Sequence, residues 1–89
     1  MLSQNYPNPF NPTTIITYDL PRTAHVRLAI YDVLGRQVKR LVDTQKPAGQ
    51  YQVTWDATND LCEPVAAGLY FCRMETAGFV QTRKMLLVR

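Results

Sequence analysis

The chain has 89 residues, of which 46% are hydrophobic and 19% charged, and carries a formal net charge of +3. A chain of this length buries roughly 60 to 65% of its unfolded surface, enough for one core and no second one, and its composition is globular rather than disordered. The basic residues run from Arg22 to Arg89 and are adjacent only at Lys39-Arg40 and Arg83-Lys84; that dispersal argues against a nucleic-acid footprint, where charge collects on one face.

No apolar run approaches the roughly 20 residues that a helix needs to cross a bilayer. Residues 1–4 have neither the charged start nor the apolar core of a signal peptide. If the chain is exported, its signal lies on a longer precursor, of which this is one module.

Residues 1–12 read as a proline-rich linker and residues 13–89 as a β-sandwich. Pro7, Pro9 and Pro12 fix φ and push the residues before them into extended backbone. Asn8 and Asn11 precede prolines, a turn-forming pairing. The segment is expected to cap an edge of the sheet, with Tyr6 and Phe10 packed on one end of the domain.

Residues 13–20 form the first strand, with Ile16, Tyr18 and Leu20 on one face and Thr17 and Asp19 on the other. Pro21 ends it. In residues 24–32, Val26, Leu28 and Ile30 alternate with His25, Arg27 and Tyr31, the pattern of a strand with one wet face. Asp32 and Gly35 stand first and fourth in a type I turn. Alternation slips in residues 36–43, where Val38 and Val42 share parity and Leu41 does not. A bulge near Arg40 reconciles them. A turn at residues 46–49 leads to a strand over 50–56 with Tyr51, Val53 and Trp55 inward. A polar loop over 57–64 follows.

Residues 67–88 organise the rest. They read as a β-hairpin whose turn, Thr76-Ala77-Gly78, places a Gly where a left-handed residue closes a bulged three-residue loop. Tyr70, Cys72 and Met74 face the core. The last strand is ambiguous, because Met85-Leu86-Leu87-Val88 is apolar on both faces: it is buried on both sides or left partly exposed for a partner. About six strands with Gly, Pro and Asp turns and no helical period point to an all-β, antiparallel sandwich, with a closed barrel as the alternative.

Little here could carry chemistry. His25 is on an exposed strand face and Ser3 in a terminus, so no nucleophile–base pair forms. Asp19, Asp32, Asp43 and Asp56 lie near strand ends, but antiparallel order sends successive ends to opposite poles, which opposes a calcium cage. Cys62 and Cys72 lack a ligand or redox spacing, and free thiols are favoured over a disulfide. The site residues are therefore sought in recognition, with no cofactor and no metal.

With these motifs laid out, QNYPNPFNPTTIITYDLP, YDVLGRQVKRLVD, PAGQYQVTWDA and PVAAGLYFCRMETAGFVQTRKMLLV together resemble the type A C-terminal sorting domain of the bacterial type IX secretion system. They are similar as well to the immunoglobulin-like domain of the flagellar hook-capping protein. The resemblance covers essentially the whole chain. It implies an immunoglobulin-like β-sandwich of about seven strands at the end of a large exported cargo, read in the periplasm by the outer-membrane translocon. A cell-surface sortase of the cysteine-protease type then removes it, and the cargo stays on the surface or enters the medium. The implied signal maps onto Gly68, Leu69 and Tyr70, then Gly78, then Arg83, Lys84, Met85, Leu86, Leu87 and Val88. One departure stands out: relatives usually carry Gly in the loop before PVA, where this chain has Cys62.

A physical mechanism fits that implication. A terminal strand with unpaired backbone groups is a template for strand addition by a receptor, with Arg83 and Lys84 orienting the encounter. The same strand could pair with a second copy as a homodimer. Competing expectations are a structural domain of a hook-capping scaffold or adhesin, and a carbohydrate-binding module using Tyr31, Phe71 or Trp55.

Overall fold

Period-two alternation dominates the chain, and six strands result. In the computed structural model, which describes residues 1–89, they are β1 (Thr14–Leu20), β2 (Ala24–Tyr31), β3 (Gln37–Lys46), β4 (Gly49–Trp55), β5 (Gly68–Thr76) and β6 (Phe79–Leu87). They form two antiparallel sheets, β1-β4 and β3-β2-β5-β6. The architecture is the all-β, immunoglobulin-like sandwich that the sequence implied, with six strands rather than seven.

The place of a seventh strand is taken by the leading residues. Leu2 bridges to Tyr18 and Tyr6 to Ile15, along the side of β1 away from β4. The prolines keep this stretch from becoming a regular ladder, since each removes a donor. Phe10 then crosses to the other sheet and bridges to Leu87. Residues 1–10 thus close the sandwich between the edge of β1 and the edge of β6.

The inward faces supply the core. Ile16, Tyr18 and Leu20 from β1 and Trp55 from β4 meet Val26, Leu28 and Ile30 from β2, Tyr70, Cys72 and Met74 from β5, and Met85 and Leu87 from β6. Leu2 and Phe10 belong to the same cluster. The Phe10 ring lies 5.7 Å from that of Trp55, which meets Tyr70 edge-on at 5.3 Å, separations at which aromatic pairs contribute beyond their buried area. The indole N–H of Trp55 donates to the Thr58 carbonyl at 2.9 Å, so its polar atom is satisfied. Tyr6 departs from expectation. It is 78% exposed, because its backbone pairs with Ile15 while its ring points away from the core.

Turn chemistry follows the sequence with two refinements. The alternation slip in β3 is a bulge at Leu41: Val42 pairs with Leu28 and Arg40 with Ala29. The β5–β6 turn is tighter than a three-residue loop, since Thr76 still pairs with Phe79. Ala77 and Gly78 make the turn, and Gly78 takes φ +72°, a conformation costly for a residue with a Cβ. Cys62 has φ +61°, so the loop keeps at that place the left-handed backbone for which a Gly is best suited. The side chain of Cys62 is exposed and that of Cys72 is buried, both as free thiols; burial pushes the pKa of the Cys72 thiol up to about 12.

The carboxylates are taken by separate partners. Asp32 accepts from the backbone N–H of Leu34 and Arg36 and from the Arg36 guanidinium, which holds its carboxyl below the usual range. Asp56 accepts from the Thr58 hydroxyl, and Asp19 lies 3.4 Å from the Met1 amine. Asp43 accepts from His25 at 2.6 Å, with Arg40 and Arg27 at 3.8 and 3.9 Å. The His25 hydrogen bond is the main cause that lowers its pKa from 3.8, with the two arginines adding to it.

This cluster gives a pH prediction. A carboxyl whose folded pKa is depressed contributes stability above its unfolded pKa and loses it as pH falls through the folded value. Asp43→Asn should therefore lower the urea midpoint at neutral pH and leave it unchanged at a pH low enough to protonate Asp43. Urea titrations from pH 7 downward check this. A difference that persists in acid would assign the effect to packing instead.

Candidate functional site

The last hairpin and the residue after it carry the residues that the sorting-domain resemblance marks, and the pleat sorts them into two sets. Tyr70 pairs with Met85 and Gly68 with Leu87 on the inner side; Leu69 pairs with Leu86 and Phe71 with Lys84 on the outer side. Tyr70, Met85 and Leu87 are buried, whereas Leu86 and Val88 are 40% and 41% exposed. The ambiguity of the final apolar run is thereby resolved: β6 is buried on one face only. The Tyr70 hydroxyl donates to the Ala66 carbonyl at 2.6 Å, and burial raises its phenol pKa. Gly68 and Gly78 serve the backbone, at φ +148° and +72°. The exposed side chains a partner can touch are Lys84, Leu86 and Val88, beside half-buried Leu69, Phe71 and Tyr31. Arg83 turns its Nε to the Leu2 carbonyl at 3.0 Å.

The edge of β6 corrects one expectation. Its backbone groups over the last residues are already paired. Leu86 donates to Asn8 Oδ1 at 3.0 Å and accepts from the Phe10 N–H at 3.0 Å. Val88 donates to the Phe10 carbonyl at 2.9 Å. The Lys84 carbonyl accepts from the side-chain amides of Gln4 at 2.8 Å and Asn8 at 3.4 Å. The leading segment caps this edge, and the buried Phe10 ring anchors the cap. Gln4, Asn8 and Phe10 are thus part of the hairpin's surroundings. Only the Asn-Pro pairs hinted at it, since the asparagine side chains supply part of the cap.

Trp55 is 1% exposed between Phe10 and Tyr70, so it offers no face to a sugar. Tyr31 and Phe71 are cross-strand partners on the outer face of the larger sheet. At one pole, an open hollow of about 780 Å³ lies between the β1–β2 connection and the β5–β6 turn. Leu20, Pro21, Ala24, Met74 and Phe79 give it an apolar wall, and Arg22 stands at its lining.

Residues 5–78 match the family model of the FlgD Ig-like domain. A search of curated protein sequences finds no match. Among solved structures, the chain is similar to PorZ, described as an essential bacterial surface component of the type IX secretion system of Porphyromonas gingivalis, with 22% identity and a TM-score of 0.65. The match covers 96% of this chain and 11% of PorZ. It is similar to FlgD from P. aeruginosa at 21% identity and TM-score 0.64, over 89% of this chain and 70% of that one. It is similar to dimeric latent PorU from P. gingivalis at 22% identity and TM-score 0.66, over 94% of this chain and 9% of PorU. The chain thus spans only about a tenth of the length of PorZ and PorU. At these identities the likeness is one of fold.

Proposed function

The chain belongs to the FlgD Ig-like domain family, and on that footing we propose that it is a non-enzymatic sorting domain that directs a larger exported cargo through the type IX secretion system. The observation that carries this reading is the outer row of the last hairpin. Half-buried Leu69 and exposed Lys84, Leu86 and Val88 stand side by side on the sheet, and they are the outward-facing members of the set that the sorting-domain resemblance marks. The likeness to PorZ, a surface component of that system, supports the same direction. The cargo lies N-terminal to the domain, and the partners are the outer-membrane translocon and the surface sortase. The destination is the cell surface or the medium, by way of the periplasm.

A second reading is a retained structural domain of a hook-capping scaffold. The family match to the FlgD Ig-like domain and the 70% coverage of FlgD favour it.

The test is a fusion of the domain to the C-terminus of an exported fluorescent reporter in a host with a type IX system. Deleting residues 84–89 would not isolate the signal, because it removes Met85 and Leu87 from the core. Lys84→Glu combined with Leu86→Ser touches exposed positions only, where substitutions cost within about 0.5 kcal/mol each. The expected result is reporter outside the cell with the native domain and a severalfold loss with the double variant. Reporter held in the periplasm by the native domain would transfer the case to the scaffold reading.

A further inference from the structure

We infer that the open half of the β6 edge, at Val80 and Thr82, is a strand-addition site for an extended partner segment with alternating apolar side chains and flanking carboxylates. The inference rests on the reading of this domain as a recognition module and moves the docking edge away from the capped residues 84–88. In an antiparallel ladder alternate residues turn their backbone groups to opposite sides. Leu86 turns its groups away from β5, towards Asn8 and Phe10, so Thr82 and Val80, four and six positions back along a strand without a register shift, turn theirs the same way. There the leading segment meets β6 only through side chains, since the Leu2 N–H donates to Gln81 Oε1 at 2.8 Å and Arg83 Nε donates to the Leu2 carbonyl at 3.0 Å. No backbone or side-chain partner bonds Val80 or Thr82 on that side. Two donors and two acceptors therefore stand in a row at a sheet edge, the chemistry that selects another strand.

Two further observations specify the occupant. The side chains of Phe79 and Gln81 line the hollow at that pole, and residues of an added strand opposite them project on the same side of the sheet. That side is apolar, with Leu20, Pro21, Ala24 and Met74 across it. On the outer side, Val80 is exposed. Arg22 and Lys84 flank the edge and take part in none of the ion pairs of the domain, while Arg83 is held on the Leu2 carbonyl. Unpaired cations at both ends of an apolar edge complement a segment that carries carboxylates at its ends. The other strand edge of this sheet is less available, because Asp60 bonds the backbone of Arg40 and Val38 on β3.

The probe is an acetylated, amidated seven-residue peptide of alternating valine and threonine with a glutamate at each end, titrated into the isotope-labelled domain and followed by amide chemical shifts. The expected result is saturable change largest at Phe79, Val80 and Thr82. Thr82→Pro removes the outward donor without touching the ladder to β5, so it should weaken binding about tenfold, while Leu34→Ser, at an exposed position of the β2–β3 turn, leaves it unchanged. The same peptide with N-methylated alternate amides should fail to bind, which keeps the test sound if Thr82→Pro misfolds. Equal binding of the methylated peptide, changes centred on residues 84–88, or no saturation overturns the site. The same shifts with rising protein concentration alone would give the edge to a second copy and overturn the partner segment. In the export assay, a domain that binds the peptide but carries no reporter out brings down the sorting reading and leaves this site standing; a domain that exports the reporter but ignores the peptide does the reverse.

Discussion

Phe10→Ala should cost the domain about 3–5 kcal/mol, the range for truncating a buried aromatic to a methyl group. The Phe10 ring is 1% exposed and packs on Trp55, so its loss leaves a cavity at the seam where both sheets meet the leading segment. The neighbouring Tyr6→Ala, at a ring 78% exposed, should change stability by no more than about 0.5 kcal/mol. Urea unfolding of the two variants decides the matter: a lower midpoint at unchanged slope for Phe10→Ala, and no shift for Tyr6→Ala. Amide exchange adds a local readout. The N–H groups of Leu86 and Val88 bond only to Asn8 and Phe10, so they should exchange faster in Phe10→Ala than the β5-bonded amides of Met85 and Leu87. Equal stability of the two variants would mean that residues 1–12 lie on the sandwich without belonging to its core.

The contrast between Tyr6 and Phe10 also marks where a sequence stops being legible. Strand parity is local, and it placed Val26, Leu28 and Ile30, Tyr51, Val53 and Trp55, and Tyr70, Cys72 and Met74 on their faces without error. Even the bulge at Leu41 is written in the chain, as a break in that parity. A segment with three prolines has no such period. Which of its aromatics turns inward is decided by what lies across the fold, here Trp55 and Leu87. The cap on β6 is legible for the same reason only in outline. Asn8 meets Leu86 across 78 residues of chain, a pairing that no window of local pattern contains. At Cys62 the sequence marked the place, a Cys where relatives usually carry Gly, but not its conformation, which is left-handed at φ +61°.

Adjacent substitutions in the last strand should differ more than any other neighbouring pair. Met85 is fully buried between β5 and the small sheet, with Tyr70 as its direct partner, and Met85→Ala should cost about 2–5 kcal/mol. Leu86 is one residue on and faces outward beside Leu69, and Leu86→Ser should stay within about 0.5 kcal/mol. A domain of this size has a total stability near the low end of about 5–15 kcal/mol, so Met85→Ala populates the unfolded state and Leu86→Ser does not. Thermal and urea unfolding measure both. The contrast separates two ways of losing export. Met85→Ala loses it through the fold and should regain it on cooling or in a stabilised background, because the outward row at Leu69, Lys84, Leu86 and Val88 is intact. Leu86→Ser with Lys84→Glu loses it with the fold present, so no stabilising change should restore it. Rescue of the surface variant by added stability would show that the row is read only as part of a folded domain and carries no side-chain signal of its own.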